Sequence, residues 1–177
     1  MSTRSYIVRE NNDGSFDGIY CHQDGYLTYN GAMLIDHYKT KDRVDKLIEL
    51  GHMSVLGIKI EPDPSKEHDF ENRQDDVCVF YGRDRHEKDQ EASKITLEDI
   101  DDPSSWIEHC YVFTKDNTWK YFECGHLKEG LKDLDVALDN EYKQLGFPRP
   151  KGYYGFYTDS DIEKRIYNYK QKQGIEM

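Results

Sequence analysis

Apolar and polar positions alternate along residues 4–10 (RSYIVRE) and again along 15–22 (SFDGIYCH), on either side of Asn11-Asn12-Asp13-Gly14. The Asp-Gly pair supplies the positive-φ positions of a tight turn, so these runs predict an N-terminal hairpin. The same logic joins Trp106–Thr114 to Thr118–Cys124 through Lys115-Asp116-Asn117 as a second hairpin. Elsewhere the period is helical. Met33, Leu34, His37 and Tyr38 mark a helix in 29–39, and Val44, Leu47, Ile48 and Leu50 mark one over 41–50 that ends at Gly51. Leu131, Leu134, Leu138, Tyr142 and Leu145 predict a helix over 130–145, stopped by Gly146 with Pro148 beyond. Ile162, Ile166 and Tyr169 predict a last one over 158–170, with Thr158 or Asp159 as its cap.

Between these elements, 61–76 has no apolar period, 77–81 reads as a short strand, 82–94 as a charged loop, and Thr96 with Asp99 as a helix start. The Gly, Pro and aromatic run 146–158 is expected to pack as an ordered loop. Its rings Tyr153, Tyr154, Phe156 and Tyr157 lack the basic groove that base stacking needs, and His37 on its apolar helix face reads as a core histidine. The fold class that follows is α+β: antiparallel hairpins forming a sheet with several short helices packed against it. One domain spans 1–177, with 61–102 an acidic, partly irregular segment within it.

Composition sharpens this picture. Among 177 residues, 36% are apolar and 33% charged, but 14 Tyr, 7 Phe and 2 Trp supply the area for an aromatic-weighted core. No apolar run approaches the ~18 residues of a membrane span, and the first residues lead into a strand pattern rather than a signal-peptide core. A cytoplasmic protein with reduced thiols is therefore expected. The net charge of −11 argues against direct nucleic-acid binding and against an anionic membrane. Its distribution matters more than its size. Residues 61–102 carry 15 Asp and Glu against 6 Lys and Arg, so −9 of the total sits in one stretch. Such a face complements the basic surface of a nucleic-acid-binding protein, with Asp75, Asp76, Asp84, Glu87, Asp99, Asp101 and Asp102 as the partner-binding residues. The bland alternative is a solvated stretch that keeps the protein soluble.

Phosphate loops, dinucleotide fingerprints, nucleophile elbows and paired-cysteine metal motifs are all missing from the chain, so no catalytic residue is assigned and an enzyme is not expected. The mixed run Tyr81–Glu87 could form a phosphate clamp, but a solvated loop with its own ion pairs is the simpler reading. Soft ligands do gather at strand ends. A turn near Asp116 would set Cys110 roughly opposite Cys124, and Cys21 or His22, with His126, could complete a tetrahedral zinc site. The competing reading is separate buried cysteines and no cofactor.

The segments GIYCHQDGYLTYNG (18–31), LIELGHMSVLG (47–57) and FYGRDRHE (80–87) together resemble a family of small acidic proteins carried by phages, prophages and other mobile elements. These share a YCHxDGY-type loop, an NG helix start and an LGxxSxLG-like turn. The resemblance covers about the first half of the chain, and Gln23 stands where that loop has an aromatic residue. No catalytic residue carries over. By context the resemblance implies an anti-CRISPR-like protein, a stoichiometric inhibitor of a host nucleic-acid-binding defence enzyme such as a Cas9-type effector, acting in the cytoplasm of a bacterial host. The alternatives it leaves open are an enzyme or accessory factor of mobile-element nucleic-acid metabolism, metal dependent in one form, and a structural phage protein.

Overall fold

The computed structural model describes residues 2–146, 148–149 and 159–174. In chain order its strands are β1 (Ser5–Glu10), β2 (Phe16–Cys21), β3 (Met53–Val55), β4 (Val79–Phe80), β5 (Ser93–Lys94), β6 (His109–Phe113), β7 (Trp119–Glu123) and β8 (Lys132–Asp133). The helices are α1 (Ala32–His37), α2 (Lys41–Leu50), α3 (Tyr81–Arg85), α4 (Leu97–Asp101), α5 (Leu134–Leu145) and α6 (Asp159–Lys172).

Both expected hairpins form. Ile7 lies opposite Ile19 across β1–β2, and Tyr111 opposite Tyr121 across β6–β7. Their turns use the residues the sequence offers: Asp13 accepts from the Ser15 amide at 3.0 Å, Gly14 has φ +85°, and Asn117 has φ +60°. The two hairpins join differently from the all-antiparallel expectation. β1 and β6 run parallel, with Ile7 opposite Tyr111. Parallel neighbours need a long connection, and residues 22–108 supply it. The sheet order is β4-β3-β2-β1-β6-β7-β8, with β5 on β2, so the sheet is mixed and the fold is α+β.

The strand alternation sends two sets of side chains to two covered faces. Ile7, Ile19, Cys21, Tyr111, Phe113 and Tyr121 pack beneath Met33 and Leu34 of α1, Val44 and Leu47 of α2, and Leu134, Leu138 and Tyr142 of α5. Val8, Cys110, Val112 and Phe122 face the other way, under Leu97 and Ile100 of α4 and Ile107. Each fully buried aliphatic side chain contributes about 1.5–3 kcal/mol, so the first, larger face dominates the core.

Local chemistry explains most boundaries. Thr40 caps α2 by accepting from the Arg43 amide, and Gly51, at φ +86°, ends it where a side chain would run into the Gln90 carbonyl. Thr96 caps α4 through the Asp99 amide at 3.2 Å. Three expectations shift. Residues 27–31 make a π-helical turn before α1, so the 29–39 helix is shorter than its pattern. Strand β4 stops at Phe80, because the Asp84 carboxylate reaches back to the Phe80 amide at 2.8 Å and starts α3 inside the expected charged loop. Helix α5 begins at Leu134, since Gly130 at φ +89° breaks the helical run and Lys132–Asp133 join the sheet edge.

The irregular stretch 61–76 is held by its own turns. Asp63 accepts from the Ser65 amide, Asp69 from those of Glu71 and Asn72, and the Gln74 amide nitrogen donates to the carbonyls of Asp63 and Lys66. Helix α6 extends the expected last helix by two residues. The Thr158 cap and the aromatic residues 153–157 lie outside the described residues. No helix among the described residues is long and apolar enough to cross a membrane.

Candidate functional site

The seven acidic residues singled out by charge do not form one face. Asp84 is buried, 5% exposed, where it accepts from the Phe80 amide and from Arg83 Nε at 2.9 Å. His68 Nε2 stands 3.5 Å away; its Nδ1 accepts from the Gln74 amide at 3.0 Å, which leaves the ring proton on Nε2 for the Cys78 carbonyl at 3.1 Å. Asp84 is thus the anchor of the 61–76 stretch and not a partner contact, because a charge that deep must be paired. Asp101 is also committed: its Oδ1 accepts from the Gly125 amide at 2.6 Å and the Leu127 amide at 3.1 Å, tying α4 to the turn after β7. Asp75, Asp76, Glu87, Asp99 and Asp102 remain exposed. The first two lie beside β4 and Glu87 just after α3, where it pairs with Arg85, whereas Asp99 and Asp102 belong to the α4 end on the other sheet face.

The α4 group is followed in the chain by a strongly exposed aromatic residue. Trp106, expected within a strand, instead ends the short 3-10 turn Pro103–Ser105 with φ +62° and ψ 18°, and its side chain is 75% exposed. A bulky residue in the left-handed region is strained by about 1–3 kcal/mol, so its surroundings must hold it. They do so from both sides. Asp102 accepts from the Ser104 amide at 2.8 Å, and Ser105 Oγ donates to the Ile100 carbonyl at 2.8 Å and accepts from the Ile107 amide at 3.2 Å. Glu98, Asp99 and Asp102, all exposed, precede the indole within nine residues. The result is a solvent-facing indole on a backbone held from both sides, close in the chain to three exposed carboxylates.

The expected zinc ligands separate. Cys21 faces the α1–α2–α5 side, where Asn30 Nδ2 donates to its sulfur at 3.4 Å. Cys110 and Cys124 share the α4 side, so Cys21 cannot join them on one ion. Cys110 pairs across the hairpin with Phe122; the two-residue difference from the expected register keeps both thiols on one face as diagonal neighbours. His22 Nδ1 meets the Tyr20 hydroxyl at 2.7 Å, and His126 is exposed beside Glu129. Among the described residues no group of three or more His, Cys, Asp or Glu is gathered for a metal. Burial pushes the Cys21 and Cys124 thiols up to about 12, which suits protonated core residues.

The residues of the YCHxDGY-type loop have structural work. The Gly25 amide donates to the Thr3 carbonyl at 2.9 Å, the Asn30 amide to Asp24 O at 3.2 Å, and Asn30 Nδ2 to Ser5 Oγ at 3.1 Å. A Cβ at Gly25 would lie 2.7 Å from the Thr3 oxygen, so only glycine fits there.

One pair escaped motif reading. His109 turns away from its neighbour Cys110, and its Nδ1 lies 2.6 Å from the Tyr121 hydroxyl with the two rings stacked. Burial alone lowers the His109 imidazole to about 4. No protein-family model, curated protein or solved structure matches this chain.

Proposed function

We propose that this protein binds a basic surface of another protein, with Trp106 as the anchor and Glu98, Asp99 and Asp102 as the charges that steer and orient the encounter. The observation that carries this reading is the exposed, left-handed Trp106 fixed at the acidic end of α4. Indole faces accept arginine and lysine cations, and tryptophan is enriched among the residues that dominate binding energy. Surrounding carboxylates raise the association rate toward a positive partner by ~10 to 10³. Together with the phage and mobile-element resemblance, this supports a stoichiometric, anti-CRISPR-like inhibitor of a host nucleic-acid-binding defence enzyme, a Cas9-type effector being the leading target, in the cytoplasm of a bacterial host.

The test is a titration of this protein into a guide-loaded Cas9-type effector cleaving its target DNA. Inhibition that saturates near one equivalent, and that weakens in Trp106→Ala, supports the reading. Full effect far below one equivalent supports instead an enzyme or accessory factor of mobile-element nucleic-acid metabolism. No inhibition together with self-assembly supports a structural phage protein.

A further inference from the structure

Across the sheet from Trp106, a cavity of about 740 Å³ opens between the β6–β7 hairpin, α5 and α6. Glu123 of β7, Glu141 of α5 and Glu163 of α6 bring carboxylates to it, and among the described residues Lys132 on β8 is the one cationic side chain that lines it. Among the described residues none of these carboxylates has a hydrogen-bond or ion-pair partner, in contrast to Asp84 and Asp101. Tyr26 adds aromatic surface beside the buried Tyr121, and the volume is that of an ordinary small-molecule site.

The electrostatics favour a cationic ligand. Glu141 is half-buried, and its carboxyl is held above the usual carboxylate range by that burial and then by the charge of Glu123. His109 cannot balance these acids near neutral pH, since its imidazole stays neutral down to about 4. A cation carrying several N–H donors would satisfy these carboxylates and lie against the Tyr26 ring. A bare metal ion is a poorer fit, because among the described residues no group of three or more His, Cys, Asp or Glu is gathered to ligate it.

We propose that this cavity is a binding site for an organic cation, a primary ammonium or guanidinium whose charge lies between Glu123 and Glu141 and whose carbon chain rests on Tyr26. The proposal is independent of the Trp106 reading, because the two sites occupy opposite faces of the sheet. The cation could be a free diamine or the side chain of a basic protein, and the two sources are separable.

Calorimetric titration of the full chain with agmatine, with putrescine and with the peptide acetyl-Gly-Arg-Gly-amide tests it, with 1,4-butanediol as the uncharged control. Saturable binding of agmatine or putrescine identifies a free amine; saturable binding of the peptide alone identifies a side chain. Glu141→Gln should weaken whichever binds by about tenfold, the loss of one charge contact. Glu123→Gln, at an exposed position that leaves folding intact, should do likewise. Affinity should rise with pH as Glu141 ionises beside Glu123, Glu163, Lys132, Tyr121 and the neutral His109. The proposal is overturned if none of the three cations saturates, if butanediol binds equally, or if neither glutamine variant weakens binding.

Discussion

The Tyr111 hydroxyl donates to the Gly25 carbonyl at 2.6 Å, joining the middle of β6 to the loop that follows β2. Both groups are buried, and burial holds the phenol far above its usual range, so it stays a donor at any ordinary pH. This bond fixes the loop that carries Asp24 and Gly25 to the centre of the sheet.

Removing the donor should therefore destabilise the whole domain. Tyr111→Phe leaves a buried carbonyl unsatisfied, a cost of about 1–3 kcal/mol. The expected readout is a lower urea midpoint with an unchanged slope; an unchanged midpoint would show the carbonyl finding another donor.

Asp84→Ala should act locally first. Loss of the buried carboxylate leaves the Phe80 amide without its acceptor and removes the ion pair of Arg83, which keeps the Ile60 and Cys78 carbonyls, a disruption of about 1–3 kcal/mol. Limited proteolysis should then cut within 61–76, a stretch held by the bonds around His68 and Gln74. Binding to a basic partner should survive in the fraction that remains folded.

Trp106→Gly should separate stability from binding. Glycine accepts φ +62° without strain, so the melting temperature should hold or rise, while partner affinity should fall by about 2 kcal/mol or more, the usual scale for an anchor tryptophan. A variant that binds as well as the parent removes Trp106 from the interface.

Acid should destabilise the fold before the surface carboxylates protonate. His109 titrates near 4 when folded and near 6.5 when unfolded, so between those values only the unfolded chain takes up the proton. Stability should fall as pH drops through that window, by roughly 3 kcal/mol for this group, and level off below it. His52, also lowered by burial, adds in the same direction. Denaturant titrations from pH 7 to pH 4 should show the loss, and His109→Gln should flatten it.

Elements whose causes are local were legible in the sequence. Both hairpins follow from alternation and turn residues, and α2 matches its pattern from Lys41 to Leu50 because Thr40 and Gly51 mark its ends. The parallel β1–β6 ladder left no local trace, since nothing near Ile7 announces a partner at Tyr111. Helix α3 was hidden because Asp84, an acidic residue in a charged run, serves as its buried start bond. Charge found Asp99 and Asp102, but Trp106 looked like a strand residue because its left-handed backbone has no signature in composition. The cavity is assembled from β7, α5 and α6, so no motif could mark it.

The parallel ladder also sets a timetable for synthesis. β1 gains its β6 neighbour only after residue 113 has been made, about a hundred residues later. At ~5–20 residues per second, the first hairpin waits roughly 5–20 s with one edge unpaired. During that interval the open edge of β1 is a template for any nascent copy nearby. A chain halted before β6 should therefore be an aggregating species rather than a half-folded domain, and the central position of β1 makes the second half of the chain a requirement for the solubility of the first.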